Sequence, residues 1–205
     1  MAAHTEALTA NEAAWVTRVP LKQVHRFIDA GLLLDGVEVR TGSRMISSRA
    51  LVGLRLAHLT ADTLTLDARR RLIRRVLDEP TAATIQDEAV SIAVAPVAVD
   101  VREGLETLDR ARALVASDPA IMSGAPCIAG TRIPVHDVAD MAANGDTIDA
   151  LVAAYPSLNA DQIRLASVYA TAYPRRGRPA AKPALRQARS IASKRIAIDD
   201  LPKAS

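Results

Sequence analysis

The run from Asp118 to Val135, D-P-A-I-M-S-G-A-P-C-I-A-G-T-R-I-P-V, constrains this chain more than any other stretch. Gly124, Pro126, Gly130 and Pro134 punctuate two short apolar runs, Cys127–Ile128 and Ile133–Val135. Glycine supplies backbone angles that other residues avoid and proline fixes φ, so the segment predicts a shaped turn-and-strand unit. Helical signals follow it. A short helix is expected over Val135 to Ala142, ended by Gly145. Thr147 is placed to cap Ile148 to Tyr155, which Pro156 breaks. Asn159 opens a third helix with Gln162 as its capping-box partner. Ile163, Ala166, Val168, Tyr169 and Ala170 are expected to pack inward. Two helices joined by Tyr155-Pro156-Ser157-Leu158 suggest a helix-turn-helix shape.

Composition decides what such elements can pack against. Apolar residues make up 49% of the 205, but aromatics only 2%, so the core must come from Ala, Leu, Val and Ile. That favours helices, and the expected class is mainly α with short β hairpins. Cys127 is the single cysteine and sits between Pro126 and Ile128. It reads as a buried, inert thiol in a reducing cytosol. Neither a signal peptide nor a run long enough for a membrane span is read, so the expected location is cytoplasmic, away from membranes. Charge is uneven. From Arg175 onward nine Lys/Arg stand against two Asp, although the whole chain is only +3.

The expected organisation is residues 1–79, a head; 80–117, a bridge; 118–174, a small helical domain; and 175–205, a basic arm. In the head, Thr9 and Glu12 form a capping box for a helix reaching about Thr17. Val19-Pro20 makes a turn. Leu21, Val24, Ile28 and Leu32 follow the helical period, and Gly31 stops that helix. Val37–Val39 and Met45–Ser47 flank Arg40-Thr41-Gly42-Ser43-Arg44 as a hairpin. Ser47 or Ser48 is expected to cap a helix through Leu51, Leu54, Leu56 and Leu59. Another follows Asp62 and carries Arg69, Arg70, Arg71, Arg74 and Arg75, read as a solvated face partnered by Asp67, Asp78 and Glu79. In the bridge, Ala89–Val94 and Val97–Val101 read as two strands around Ala95-Pro96, followed by a helix from Arg102 to Ala116.

The head's pattern, L-T-A-N-E-A-A-x-x-x-x-V-P-L-K-Q-V-H-R-F-I-D-A-G-L-L followed by a hairpin, resembles the winged helix-turn-helix of MerR-type regulators. That resemblance implies a second helix in the major groove, presenting Lys22, Gln23, His25 and Arg26, and a wing whose Arg40 and Arg44 hold phosphates. The effector-binding cysteines and long dimerisation coiled coil of typical MerR proteins are missing, so metal or drug sensing is not implied.

The stretch 118–174 resembles a small domain found in antitoxins of VapB type, and head plus domain together are similar to the VapB member of a mycobacterial VapBC pair. The residues that carry this are Asp118, Pro119, Ile121, Gly124, Pro126, Ile128, Gly130 to Val135, Tyr155, Pro156, Leu158, Ile163, Ala166, Tyr169 and Ala170. The resemblance implies a type II antitoxin that neutralises a VapC-type PIN-domain ribonuclease and represses its own operon, as a homodimer on operator DNA. Asp161 at the start of this domain's last helix opposes phosphate, so packing or dimerisation is expected there, with Arg132 as a structural hydrogen-bonding residue. A nuclease site that clusters carboxylates suits an arginine fork, so Arg186, Arg189, Lys194 and Arg195, on a short amphipathic helix from Ala184 to Ile196, are the expected toxin contacts.

A stand-alone regulator whose basic tail touches DNA remains an alternative. A small enzyme using Asp137, Asp140 and Asp146 near His136 is another. No catalytic residue is assigned. His4, His25, His58 and His136 share no ligand spacing, so neither a metal site nor a cofactor is expected.

Overall fold

Thr9 opens the first helix as its sequence predicts. Its Oγ1 accepts from the Glu12 N–H at 3.3 Å, and the Glu12 carboxylate accepts from the Thr9 N–H at 2.6 Å. The box starts α1 (Ala10–Thr17). In the computed structural model, residues 7–33, 36–40, 43–87 and 90–175 are described. Among them the protein is mainly helical, with short antiparallel strand pairs. Contacts gather Met1–Pro174 into one unit and Arg175–Ser205 into another.

Arg18 ends α1 in the left-handed region, with φ 52°, and buried Val19 anchors the turn before α2 (Leu21–Asp29). The end of α2 is a Schellman motif. Gly31 takes φ 66°, its N–H donates to Ile28 O, and the Leu32 N–H donates to Phe27 O. Glycine is the residue that adopts this angle without a Cβ penalty. The hairpin β2 (Val37–Arg40) and β3 (Ser43–Ser47) follows. A strand with no sequence expectation, β1 (Ala7–Thr9), pairs with β3, so the order is β1-β3-β2. Neither Ser47 nor Ser48 caps the next helix with its side chain. A 3-10 turn, Ser48–Ala50, leads straight into α3 (Leu51–Leu59). Thr65 caps α4 (Leu66–Asp78).

The bridge departs most from expectation. The strands are β4 (Thr84–Asp87) and β5 (Val90–Ala93), paired antiparallel. Val97–Val101 is not a strand. It lies in a 19-residue helix, α5 (Ala95–Ala113), with Pro96 in the first turn. Proline needs no N–H partner there and its φ is already helical. Val97, Val101, Leu108 and Ala111 form the buried stripe of α5, and that burial outweighs the β preference of valine. The expected helical end at Val115–Ala116 is instead a short strand, β6 (Val115–Ala116), paired with β7 (Cys127–Ile128). The Gly/Pro-rich run is a turn-and-strand unit as predicted, with a further bridge from Cys127 to Pro134. Cys127 is buried.

After it come α6 (Val135–Ala143), α7 (Ile148–Ala154) and α8 (Ala160–Ala172). Thr147 caps α7, and Asn159 and Gln162 close a second capping box at α8. Gly145 takes φ 103°.

Two apolar clusters result. One gathers Leu8, Val24, Ile46, Leu51, Leu54, Leu72, Ile73 and Leu108. The other gathers Ile128, Val135, Val138, Leu151, Leu158, Ile163 and Ala166. They do not divide cleanly along the chain. Ala172, at the end of α8, is buried in the first cluster, and Tyr173 packs against it. Gly104 lets α5 lie tightly against α1. A Cβ there would stand 2.8 Å from Val16 O.

Candidate nucleic-acid interface

Val24 and Phe27 fix the orientation of α2 by turning inward, while Lys22, His25, Arg26 and Asp29 are exposed and Gln23 is half-buried. Positions 22, 25, 26 and 29 recur at helical spacing, so they lie along one outer stripe. Four of the residues singled out on this helix are thus brought together on one element. They lie close to its N-terminal end, which Pro20 leaves without a side-chain cap.

Val39 pairs with Arg44, and Arg40 with Ser43, at the far end of the hairpin. Arg44 turns back on α2, with its guanidinium 2.5 Å from the Asp29 carboxylate. The side chain of Arg40 lies outside what is described. Asp29 was not expected to matter. A pair fifteen residues apart across a turn leaves no periodic signal. Val39, beside the turn, is 73% exposed, unusually open for a valine.

From behind, α4 braces this helix. Arg70 donates to Ala30 O at 2.7 Å, which satisfies a carbonyl at the C-terminal end of α2. Arg69 lies over the Phe27 ring, 5.8 Å from its centroid. Of the arginines on α4, Arg70, Arg71, Arg74 and Arg75 are exposed, as expected, and Arg69 is half-buried. Arg70 also meets Asp67, as predicted. Arg71 holds Asp87 on β4 through two nitrogens, at 3.0 and 3.1 Å, and Arg75 donates to Gln86 O.

A buried polar cluster then fixes α1 from the other end of the sequence. The carboxylate of Glu12, 5% exposed, accepts from Arg112 of α5 at 2.9 Å and from the Tyr173 hydroxyl. Arg112 Nε donates to the same hydroxyl at 2.6 Å, and another of its nitrogens meets Asp109 at 2.8 Å. Burial alone would raise the Glu12 carboxyl, but donors from Tyr173, the Thr9 N–H and Arg112 outweigh it and hold the group below 4.5. Burial and the bond to the Glu12 carboxylate push Tyr173 up to about 12. Burial would lower Arg112, yet its bonds to Tyr173 and Glu12 raise it, so the guanidinium stays charged. Tyr173 also lies 4.6 Å, centroid to centroid, from Tyr169, and its carbonyl accepts from His136 Nε2 at 2.8 Å.

In the last third, Arg132 and Asp137, Asp140 and Asp146 are exposed, and His136 faces Tyr169 and Tyr173. Among the described residues no three His, Cys, Asp or Glu gather as metal ligands would, and no helix is long and apolar enough to cross a membrane. Arg110 meets Asp161 at 2.6 Å, which ties α5 to the start of α8. Arg186, Arg189, Lys194 and Arg195, with the helix expected around them, lie outside the described residues.

Comparison with known proteins follows these boundaries. Residues 115–170, from β6 to within α8, match the family described as "Protein of unknown function (DUF433)". A solved structure, the X-ray crystal structure of Rv2018 from Mycobacterium tuberculosis, aligns over 80% of this chain and 97% of its own. Its identity is 16% and its TM-score 0.36. Uncharacterized protein y4eO of Sinorhizobium fredii (strain NBRC 101917 / NGR234) is 37% identical over 191 residues. That alignment spans 87% of this chain and 86% of y4eO, and the chain belongs to the same family as y4eO.

Proposed function

We propose that this protein is a DNA-binding antitoxin of a type II toxin–antitoxin pair. In this reading α1, α2 and the β2–β3 hairpin work as a winged helix-turn-helix of the MerR kind. Lys22, Gln23, His25 and Arg26 read the major groove, and Arg40 and Arg44 hold phosphates. The observation that carries it is the outer stripe of α2, which is cationic and uncovered while the helix behind it is firmly seated. The basic segment beyond Pro174 engages a VapC-type PIN-domain ribonuclease, with Arg186, Arg189, Lys194 and Arg195 directed at its metal-binding carboxylates. Support for that half is the VapB-like run from Asp118 to Ala170 and the density of Lys/Arg after it. In this role the protein is a binding module with no reaction of its own.

The experiment is co-expression with the neighbouring gene, using the full chain and a chain ending at Pro174. The full chain purifies with a ribonuclease and suppresses it, while the shortened chain loses the ribonuclease and keeps its grip on the upstream DNA. A shortened chain that inhibits equally well sinks the role of the arm. A full chain that binds DNA but never retains the neighbour's product selects the stand-alone regulator, whose tail contacts DNA.

A further inference from the structure

The hairpin β4–β5 has one edge that nothing in the described protein uses. The Val94 N–H donates to Ala83 O at 2.8 Å, so Ala83 and Val94 face each other as a bonded pair. In an antiparallel ladder, bonded and non-bonded pairs alternate. Continuing the observed register, Ile85–Ile92 and Asp87–Val90 are bonded pairs, whereas Thr84–Ala93 and Gln86–Ser91 are not. Ser91 and Ala93 therefore turn their N–H and C=O groups away from β4. Among the described residues no third strand lies there, and neither residue has a main-chain bond on that side. Both are exposed, and Val90 is 41% exposed. The strand Val90-Ser91-Ile92-Ala93 carries no charge and no proline, the devices that keep an open edge from pairing.

We propose that this edge joins two copies of the chain, β5 against β5, with the two-fold axis through Ile92. The register follows from the outward groups. Setting Ser91 of one copy opposite Ala93 of the other lets both outward-facing residues exchange bonds, which makes four main-chain hydrogen bonds across the seam. Any shift along the strand leaves some of these groups unmatched. A symmetric seam sets each residue near its own image, so a charged strand would repel itself; β5 does not. Ile92 meets Ile92 across the axis as a close, non-bonded pair. Four residues a side bury far less than the roughly 1,600 Å² of an ordinary stable interface. The dimer is accordingly weak in free solution and concentration-dependent.

The test uses the full chain without DNA or ribonuclease, so its outcome is separate from that of the functional proposal. Sedimentation equilibrium over a wide concentration range should show a growing dimer. Ser91→Pro deletes an N–H that β4 does not use, and Ser91→Lys places like charges near the axis. Each should weaken dimerisation at least about tenfold while the thermal midpoint of the dilute protein holds. Ile92→Cys in a Cys127→Ser background should cross-link two copies on oxidation, since Cα atoms of a non-bonded pair stand about 4.5 Å apart. A wild-type chain that stays monomeric at every concentration overturns the proposal. So does a Ser91→Lys chain that dimerises like wild type, or a dimer in which the introduced cysteine never cross-links.

Discussion

Glu12 serves two structures at once. It is the third residue of the α1 capping box and the counter-ion of Arg112, and the Tyr173 hydroxyl touches both partners. The pH consequences follow from the direction of each shift. Glu12 is held below 4.5, so its contribution is present above that value and lost as pH falls through its lowered folded-state pKa. Tyr173 is raised from 10.0 to about 12, so its contribution is complete below pH 10 and lost between pH 10 and about 12. With the ring partly solvated, this alkaline loss is on the order of 1 kcal/mol. Tyr173→Phe should cost about 1–2 kcal/mol at neutral pH and flatten the stability curve between pH 10 and 12, as followed by urea denaturation. Gly104→Ala tests a different constraint. Alanine favours helices, yet here its methyl meets a backbone carbonyl of α1, so a net loss of about 1–3 kcal/mol is expected in thermal unfolding.

At the scale of elements, legibility in the sequence tracked how local the signal was. Thr9 with Glu12, Asn159 with Gln162, Thr147, Gly31 and Gly145 all act within a few residues, and each does in the structure what its type and position predict. The failures came where distant packing decides. Val97, Val99 and Val101 look like a strand until the helix is started at Ala95; only then do Val97, Val101, Leu108 and Ala111 align on one face. The strands β1 and β6 are three and two residues long and exist because β3 and β7 pair with them. At the candidate interface, the outward residues of α2 could be read from periodicity, but the tie between Asp29 and Arg44 could not. Each side of that tie is about half exposed, so Asp29→Ala should change stability by under about 1 kcal/mol. It also removes a negative charge from the outer stripe of α2 and, under the proposed function, should raise DNA affinity several-fold. Lys22→Ala and Arg26→Ala should each lower it, and a phosphate contact should reduce the salt slope of binding by about 1. A titration series in salt checks all three.

Taken as a whole, the first 174 residues hold together across every boundary that composition suggested. The family match at 115–170 ends two residues before Ala172, which sits in the head's core, and three before Tyr173, which holds Glu12. A chain ending at Pro174 should therefore melt like the full-length protein. One ending at Val168 removes Ala172 and Tyr173, opens the first apolar cluster and leaves Arg112 and Glu12 without their shared hydroxyl. It should lose more than about 3 kcal/mol by chemical denaturation. The brace between α4 and α2 extends this connectedness. Arg70 of α4 holds the carbonyl at Ala30, while Arg71 and Arg75, one and five residues further along the same helix, hold the β4–β5 hairpin, so a single helix braces both α2 and that hairpin.

The bond between Tyr173 and Glu12 also has a meaning in time. The ribosome releases residue 12 long before residue 173, so the newborn N-terminal segment must wait, only partly built, for the end of α8 to emerge and close over it. A protease that clips the mature chain just ahead of that tyrosine would undo the same closure, returning the N-terminal part to its immature form without cutting it.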